Sequence, residues 1–128
     1  LADNEITQQI IGAAIEVHRT LGGPGLLESV YEEAMAWELN LRGLLVERQV
    51  HVPIRYKDQQ LATPLRVDML VERKIIVENK ATRKYNPIYE AQTLTYLRLL
   101  DLQVGLVINF GEKYVKNGIH RVVNNFKD

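Results

Sequence analysis

The sequence predicts an α/β fold in which a mixed β-sheet is flanked by α-helices. Two helical segments come first, three strand-like segments follow, and one more helix separates these from two final strands. This order, α-α-β-β-β-α-β-β, fits a mixed sheet covered by helices. Because 128 residues is the usual length of one domain, we expect a single domain over residues 1–128.

The composition is that of a globular protein. Hydrophobic residues make up 46% and charged residues 25% of the chain, and there is no low-complexity run. No apolar run approaches the roughly 20 residues that a membrane helix needs. The first residues show no basic-then-apolar signal pattern. We therefore expect a cytoplasmic protein without a membrane partner.

The absence of cysteine and the formal net charge of 0 limit the classes of function. Without thiolates, disulfides and iron–sulfur clusters are excluded, and a metal ion must bind oxygen or imidazole ligands. A neutral chain lacks the long-range field that gathers nucleic acid onto strongly basic proteins. This argues against tight nonspecific binding but not against catalysis, because a local groove with a divalent cation can still bind phosphate.

Two helices are predicted at the start of the chain. The first covers residues 4–20, where apolar residues recur at helical spacing: Ile6, Ile10, Ile11, Ala14, Ile15 and Val17. Residues 21–25, with three glycines and a proline, interrupt it. The second helix runs to Arg42, and Gly43 suits the left-handed position after a helix end. Its apolar side is predicted to consist of Leu27, Val30, Tyr31, Ala34 and Leu41.

Three strands are predicted next. Residues 45–56 alternate in part between apolar and polar, although Pro53 indicates an edge or a bulge. Residues 61–71 and 74–80 form two more strands, and the short link at 72–74 predicts a hairpin between them. We expect this hairpin to lie at the centre of the sheet.

A helix and two strands are predicted in the last third of the chain. Asn86 and Pro87 open the helix, the asparagine as its cap and the proline in its first turn, and it continues to about residue 100. Residues 104–110 form an apolar run typical of a buried strand. A turn at 116–118 precedes a short final strand over residues 119–123.

Two carboxylates are predicted to face each other in the central hairpin. If its loop is residues 72–74, Val71 pairs with Ile75 and Asp68 falls directly opposite Glu78. Their β-carbons would then be about 5 Å apart. Like charges so placed destabilise the fold unless a cation lies between them.

The residues around this pair predict a magnesium-type metal site. A hard divalent cation takes oxygen ligands and retains several waters, so two carboxylates and a backbone carbonyl suffice as protein ligands. Lys80 lies two residues beyond Glu78 on the same strand face, where it could orient the attacking water. The alternative is a cross-strand ion pair of Asp68 or Glu78 with Lys80 or Arg66.

Several motifs carry a resemblance to a nuclease family over residues 5–125. The segment Gly25-Leu26-Leu27-Glu28-Ser29-Val30-Tyr31, with residues 11–18 before it, resembles the naming motif of the GxxExxY family. Asp68 followed by Glu78-Asn79-Lys80 resembles the metal motif of the PD-(D/E)XK nuclease superfamily, to which that family belongs. The resemblance implies a restriction-endonuclease-like fold and a nuclease that uses Mg²⁺ or Mn²⁺, with DNA as the expected substrate.

A third motif lies in the predicted helix after residue 86. Gln92-Thr93-Leu94-Thr95-Tyr96 resembles the Q-x-x-x-Y motif of RecB-like and lambda-exonuclease-like members of the superfamily. Residues four apart share a helix face, so Gln92 and Tyr96 can project together. The resemblance implies that they bind the nucleic-acid backbone or a terminal phosphate. The alternative is core packing by Tyr96 and a solvated Gln92.

The resemblance implies a catalytic set of Glu28, Asp68, Glu78 and Lys80, and a metal set of Asp68, Glu78, Glu28 and Asn79. Glu28 would also suit the start of a helix for purely electrostatic reasons. Two further residues are expected to support the site. Tyr31 would pack or hold Glu28 through its hydroxyl. His18 is a candidate metal ligand, as in some RecB-like nucleases, or else a surface histidine at a helix end.

Asn79 departs from the superfamily pattern, in which this position is usually apolar. Strand alternation turns it toward the packed face with Ile75 and Val77. A buried amide without partners is costly. We therefore expect either a hydrogen-bonded niche or a partly open face at Asn79.

Two functions follow from the sequence. The first is a metal-dependent nuclease that hydrolyses phosphodiester bonds of nucleic acid. The second is a non-catalytic nucleic-acid-binding or protein-interaction module that retains the fold, which the neutral net charge favours. The intact acidic set argues for the first, because a module without catalysis has no need for mutually repelling carboxylates.

Overall fold

The elements of the chain follow the predicted order, with one small hairpin added. A computed structural model describes residues 1–125, so the last three residues of the expected domain lie outside it. The helices are α1 (Asp3–Thr20), α2 (Glu28–Leu41), α3 (Ile88–Leu100) and a short 3-10 helix, η1 (Val115–Gly118). The strands are β1 (Val46–His51), β2 (Arg55–Tyr56), β3 (Gln59–Gln60), β4 (Arg66–Val71), β5 (Ile75–Lys80), β6 (Val104–Asn109) and β7 (Ile119–Val123).

The main sheet is mixed, as predicted. Within residues 1–125 its five strands lie in the order β1-β4-β5-β6-β7, and β5 pairs with β6 in parallel whereas the other neighbours are antiparallel. Helix α3 connects these two parallel strands, as a crossover connection must. The arrangement is consistent with the restriction-endonuclease-like fold, and it places β4 and β5 next to each other near the middle of the sheet.

Two of the predicted strands are shorter than expected. The segment 45–56 divides into β1 and β2, and β2 pairs only with β3 in a separate hairpin. The segment 61–71 becomes a strand only at Arg66. Pro53 and Pro64 lie in the two parts that leave the ladder, and proline has no N–H to donate to a neighbouring strand.

Two hydrophobic layers cover the sheet. Helices α1 and α2 pack on one face, against side chains that include Met69, Val77 and Ile108. Helix α3 packs on the other face, where Leu97 meets Ile76. None of the helices within residues 1–125 is long and apolar enough to span a membrane.

Local signals at the helix ends behave as predicted. Gly43, after α2, has a φ of +81°, the left-handed conformation that glycine adopts without strain. The Asn86 side chain accepts a hydrogen bond from the backbone N–H of Ile88 at 3.0 Å. This bond satisfies a donor at the start of α3 that has no partner within the helix.

The buried side of α2 differs from the prediction. Tyr31 is buried as expected, but Met35 and Leu39 are its main companions in the core. Leu27 and Leu41, predicted to be on the apolar side, are 73% and 77% exposed. The helix carries two apolar stripes, and periodicity alone does not tell which of them α1 and the sheet will cover.

Candidate active site

The β4–β5 hairpin has the register that its loop length predicted. Val71 pairs with Ile75, and Leu70 and Met69 pair with Ile76 and Val77. Continuing this register by one residue brings Asp68 opposite Glu78. The sequence prediction of two facing carboxylates is therefore confirmed as geometry.

At this point side chains replace backbone carbonyls in the ladder. The backbone N–H of Asp68 donates to Glu78 Oε2 at 2.7 Å, and the backbone N–H of Asn79 donates to Asp68 Oδ2 at 2.9 Å. The two carboxylates thus lie between the strands, each held by one backbone donor of the other strand. Within residues 1–125, Asp68 Oδ1 and Glu78 Oε1 accept no hydrogen bond, so each acid has an oxygen available to a ligand.

The site is electrostatically strained without a cation. Burial is the main reason that the pKa of Asp68 rises to about 6 and that of Glu78 to about 8. Repulsion by Asp68 adds to the rise in the Glu78 pKa. The backbone donors and Lys80 lower both pKa values but do not cancel the effect of burial. The pair therefore retains a proton near neutral pH unless a cation takes its place.

Lys80 is half-buried at the end of β5, on the strand face that carries Glu78. Its charge acts on both carboxyls, but it forms no salt bridge with them in the described chain, and neither does Arg66. The cross-strand ion pair considered as the alternative is thus absent. Instead, Lys80 Nζ lies 4.7 Å from the centre of the Tyr89 ring. This aromatic partner from the first turn of α3 was missed in the sequence.

The chain beyond Lys80 is anchored by Asn109, a fully buried residue at the end of β6. Its side chain bonds to both the backbone N–H and the carbonyl of Thr82, each at 3.0 Å. A β-carbon at Gly111 would lie 2.2 Å from the Thr82 carbonyl oxygen, so only glycine fits there. These contacts fix the segment that leads from the site to α3.

Helix α2 brings two acidic side chains toward the pair. Glu28, its first residue, is exposed, and its charge contributes to the raised pKa of Asp68. Glu32, one turn later, is buried and raises the pKa of both Asp68 and Glu78. Glu32 was missed in the sequence, although its spacing of four from Glu28 places both on one helix face.

Glu32 already has cationic and polar partners on β1. Arg48 Nε donates to it at 3.1 Å, and Gln49 Nε2 donates to it at 3.0 Å. Glu28 has no hydrogen bond or salt bridge in residues 1–125. Of the two acids on this face, Glu28 is therefore the one whose carboxylate is free to take a ligand.

Tyr31 supports the loop before α2, and its hydroxyl does not bond to Glu28. The hydroxyl donates to the Gly23 carbonyl at 2.7 Å and accepts from the Leu26 backbone N–H at 3.2 Å. Its ring stacks on Phe110 with centroids 4.6 Å apart. The expected hydroxyl contact to Glu28 is thus replaced by an indirect one, through the loop that sets where α2 begins.

His18 is buried, and the structure does not bring it to the carboxylate pair. Its Nε2 lies 3.1 Å from the Phe110 carbonyl oxygen, a hydrogen bond that gives the ring a structural partner. Its side chain belongs to the α1 and α2 side of the sheet. The expectation of a surface histidine was therefore wrong, whereas the metal-ligand role stays a prediction.

Helix α3 presents Tyr96 to the site. Burial raises the pKa of the half-buried Tyr96 phenol, and the charges of Glu78 and Asp68 raise it further. Gln92, one turn earlier, is exposed and has no hydrogen-bond partner within residues 1–125. Tyr96 thus lies within electrostatic reach of both carboxylates, whereas the Gln92 amide is free in solvent.

The Asn79 side chain lies on the opposite face of β5 from Glu78. It is 1% exposed, and its Nδ2 donates to Met69 Sδ at 3.2 Å. Its Oδ1 is buried without a partner in the described chain. The hydrogen-bonded niche expected for Asn79 is therefore incomplete, because only the amide nitrogen has a partner. As a member of the metal set, Asn79 can act only through its backbone carbonyl, which in an extended strand points to the same side as the N–H bound to Asp68.

The free oxygens of Asp68 and Glu78 suit an ion such as Mg²⁺, which needs few protein ligands, better than an ion that is bound entirely by protein side chains. Within residues 1–125, no group of three or more histidine, cysteine or acidic side chains lies together as a complete site. Asp68 and Glu78 nevertheless offer one free oxygen each, in a place where negative charge is unfavourable. Mg²⁺ is commonly bound through one or two carboxylates and keeps several of its waters.

Comparisons with known proteins identify the family of this chain. SSO0001, a protein known from a crystal structure, is similar to this chain with a TM-score of 0.48 and 15% sequence identity, over 95% of this chain and 79% of that one. No curated protein matches the sequence significantly. A family model described as PD-(D/E)XK nuclease superfamily matches residues 4–122, which include the carboxylate pair, Lys80 and Tyr96. The chain belongs to the PD-(D/E)XK nuclease superfamily.

Proposed function

We propose that this protein is a metal-dependent nuclease of the GxxExxY type that hydrolyses phosphodiester bonds of DNA, with Mg²⁺ or Mn²⁺ as cofactor. The observation that carries the proposal is the Asp68 and Glu78 pair, which is held between two strands by reciprocal backbone hydrogen bonds. Maintaining two carboxylates there is costly, as their raised pKa values indicate. A bound cation offsets this cost, and cation binding therefore accounts for the two adjacent carboxylates.

Asp68 and Glu78 are the principal ligands in this proposal. The Asn79 carbonyl and the Glu28 carboxylate, directly or through water, complete the protein's contribution. A bound divalent cation supplies acidification of a water molecule and neutralisation of charge on the phosphoryl oxygens. Glu28 enters from solvent at the first turn of α2, so it can adjust as substrate arrives.

Lys80, Tyr96 and Gln92 act on water and phosphate. The Lys80 ammonium, held near the Tyr89 ring, orients the attacking water and favours its hydroxide form through its positive charge. Burial and the nearby carboxylates raise the pKa of the Tyr96 phenol, which favours its protonated form as a hydrogen-bond donor to a phosphate oxygen. The exposed Gln92 amide lies one helical turn before Tyr96, and it contacts the backbone of the nucleic acid.

A cleavage assay tests the proposal. Purified protein is incubated with Mg²⁺ or Mn²⁺ on linear, circular and single-stranded DNA and on RNA, with and without chelator. Glu78→Gln, purified in parallel, reports any contaminating nuclease. We expect metal-dependent cleavage of DNA by the wild type and none by the variant.

Binding of DNA without cleavage under every metal condition would favour the non-catalytic module. Cleavage of RNA alone would keep the chemistry and change the substrate. Equal activity of the wild type and Glu78→Gln would assign the activity to a contaminant.

A further inference from the structure

Helix α2 carries a second apolar stripe that faces solvent. Leu27, the residue before the helix, is 73% exposed, Trp37 is 67% exposed and Leu41, the last residue, is 77% exposed. Val30 and the half-buried Ala34 lie between them. We call these five residues the α2 stripe. The face that packs in the core, with Tyr31, Met35 and Leu39, is a different one.

The spacing of the α2 stripe is that of a helix-pairing seam. Its members are separated by steps of three, four, three and four residues, the a and d positions of a heptad pattern. Such a seam on a single helix packs against one other helix at a shallow crossing angle. Scattered exposed apolar residues need no explanation, whereas an aligned set of this size marks an interaction site.

The large and small side chains of the α2 stripe are placed so that the stripe can pack against the same stripe of a second copy. When two copies of α2 run antiparallel with a twofold axis at Ala34, each Trp37 faces the small Val30 of the other copy. Each Leu27 then faces a Leu41, and the two alanines meet where the helices approach most closely. A twofold contact requires this kind of self-complementarity, since the same patch serves both partners.

We propose that the α2 stripe is the interface of a homodimer in which two α2 helices pack antiparallel about Ala34. Two facing stripes would remove on the order of 1,000 Å² from water, the area at which specific interfaces begin. The formal net charge of 0 leaves no long-range repulsion between copies.

Charges beside the stripe predict how the dimer responds to salt. Glu38 is already paired with Arg42 at 2.9 Å in the same helix. Glu33 is exposed, has no salt bridge in residues 1–125 and precedes Ala34, so the two copies bring their Glu33 side chains near the axis. This repulsion weakens the dimer at low ionic strength. Salt, or Glu33→Gln, should strengthen it.

Sedimentation equilibrium over a concentration series tests the proposal directly. We expect the wild type to approach twice the chain mass of 14.7 kDa. Trp37→Glu should raise the dissociation constant at least a hundredfold, while Tyr56→Glu should leave it unchanged. Tyr56 is the matched control, an aromatic residue that is 61% exposed on β2, outside the stripe. A wild type that stays monomeric at the highest attainable concentration, or a dimer that persists in Trp37→Glu, would overturn the proposal.

Cross-linking tests the antiparallel geometry and does not depend on how Trp37→Glu folds. The chain has no native cysteine, so single cysteines report only their own position. With a short thiol cross-linker, Ala34→Cys should link to itself. Leu27→Cys and Leu41→Cys should link to each other when mixed and not to themselves. Failure of Ala34→Cys to cross-link, or self-linking of Leu41→Cys, would refute the antiparallel dimer.

Discussion

The Glu78 carboxylate occupies the place of a backbone acceptor opposite Asp68, with its Oε2 2.7 Å from the Asp68 backbone nitrogen. Asp68 Oδ2 makes the reciprocal contact with the Asn79 backbone nitrogen at 2.9 Å. The candidate site is therefore part of the sheet itself. Any change of strand register would move both acids, so the stability of the β4–β5 hairpin and the integrity of the site are coupled.

Divalent cations should stabilise the folded protein. At a hundredfold excess over the dissociation constant, binding to the folded state alone adds about 2.7 kcal/mol to the free energy of unfolding. Glu78→Gln should abolish the rise in Tm with Mg²⁺ or Mn²⁺, because it removes a charged ligand. Thermal unfolding with and without metal measures this, with Asp58→Asn in the exposed β2–β3 turn as the control. A full metal shift in Glu78→Gln would exclude Glu78 as a ligand.

The metal-free protein should lose stability as pH rises. Between the ordinary value of 4.5 and about 8, folded Glu78 retains a proton that the unfolded chain has released. The free energy of unfolding therefore falls as pH increases through this window. The raised pKa of Asp68 adds to this fall up to about pH 6.

Glu78→Gln isolates this contribution. The variant should be the more stable protein near pH 8 without metal, and the difference from the wild type should vanish below the ordinary carboxyl range. Denaturant unfolding of both proteins across pH, in chelator, measures the difference. A difference that is independent of pH would show that the proton on Glu78 is not its cause.

Replacing Asn79 by leucine should stabilise the protein. Leucine has a similar shape, and it removes the buried Oδ1 that has no partner in residues 1–125. Removing this unmet hydrogen bond should add about 1 to 2 kcal/mol to the free energy of unfolding. The backbone N–H that holds Asp68 is retained. Urea denaturation measures the change, and a destabilised Asn79→Leu would mean that the amide has a partner, such as a buried water.

Tyr89 should position Lys80 through its ring. Tyr89→Phe keeps the ring beneath the ammonium and should retain activity, whereas Tyr89→Leu should lower the cleavage rate about tenfold. Affinity for metal and DNA separates this role from general packing, because Tyr89→Leu should lower the cleavage rate and leave both affinities unchanged. Equal losses of rate in the two variants, or weaker metal binding by Tyr89→Leu, would assign the effect to the hydroxyl or to packing.

Much of the fold was predictable because local signals agreed with one another. The three-residue link fixed the register of β4 and β5, and with it the Asp68 and Glu78 pairing. The Asn86 and Pro87 pair marked the start of α3. The ends of β1 and the start of β4 were less clear, because the effect of Pro53 and Pro64 depends on which strands lie beside them.

What the sequence could not predict depends on contacts between distant segments. Both faces of α2 carry apolar residues, and only the packing of α1 decides which one is buried. Glu32 forms an ion pair with Arg48, and the Tyr89 ring lies beside Lys80. No local sequence pattern links the members of either pair. His18 has its partner, the Phe110 carbonyl, 92 positions later in the chain.

Lys80→Ala tests the central claim most directly, because it removes the ammonium and leaves both proposed metal carboxylates in place. Single-turnover cleavage and equilibrium binding are measured on the same labelled DNA, after the wild type has been shown to cleave it and to lose activity in chelator. We predict that Lys80→Ala binds DNA and metal as the wild type does but cleaves at least about a hundredfold more slowly, since the ammonium acts mainly in the transition state. Cleavage by Lys80→Ala at the wild-type rate would contradict the account.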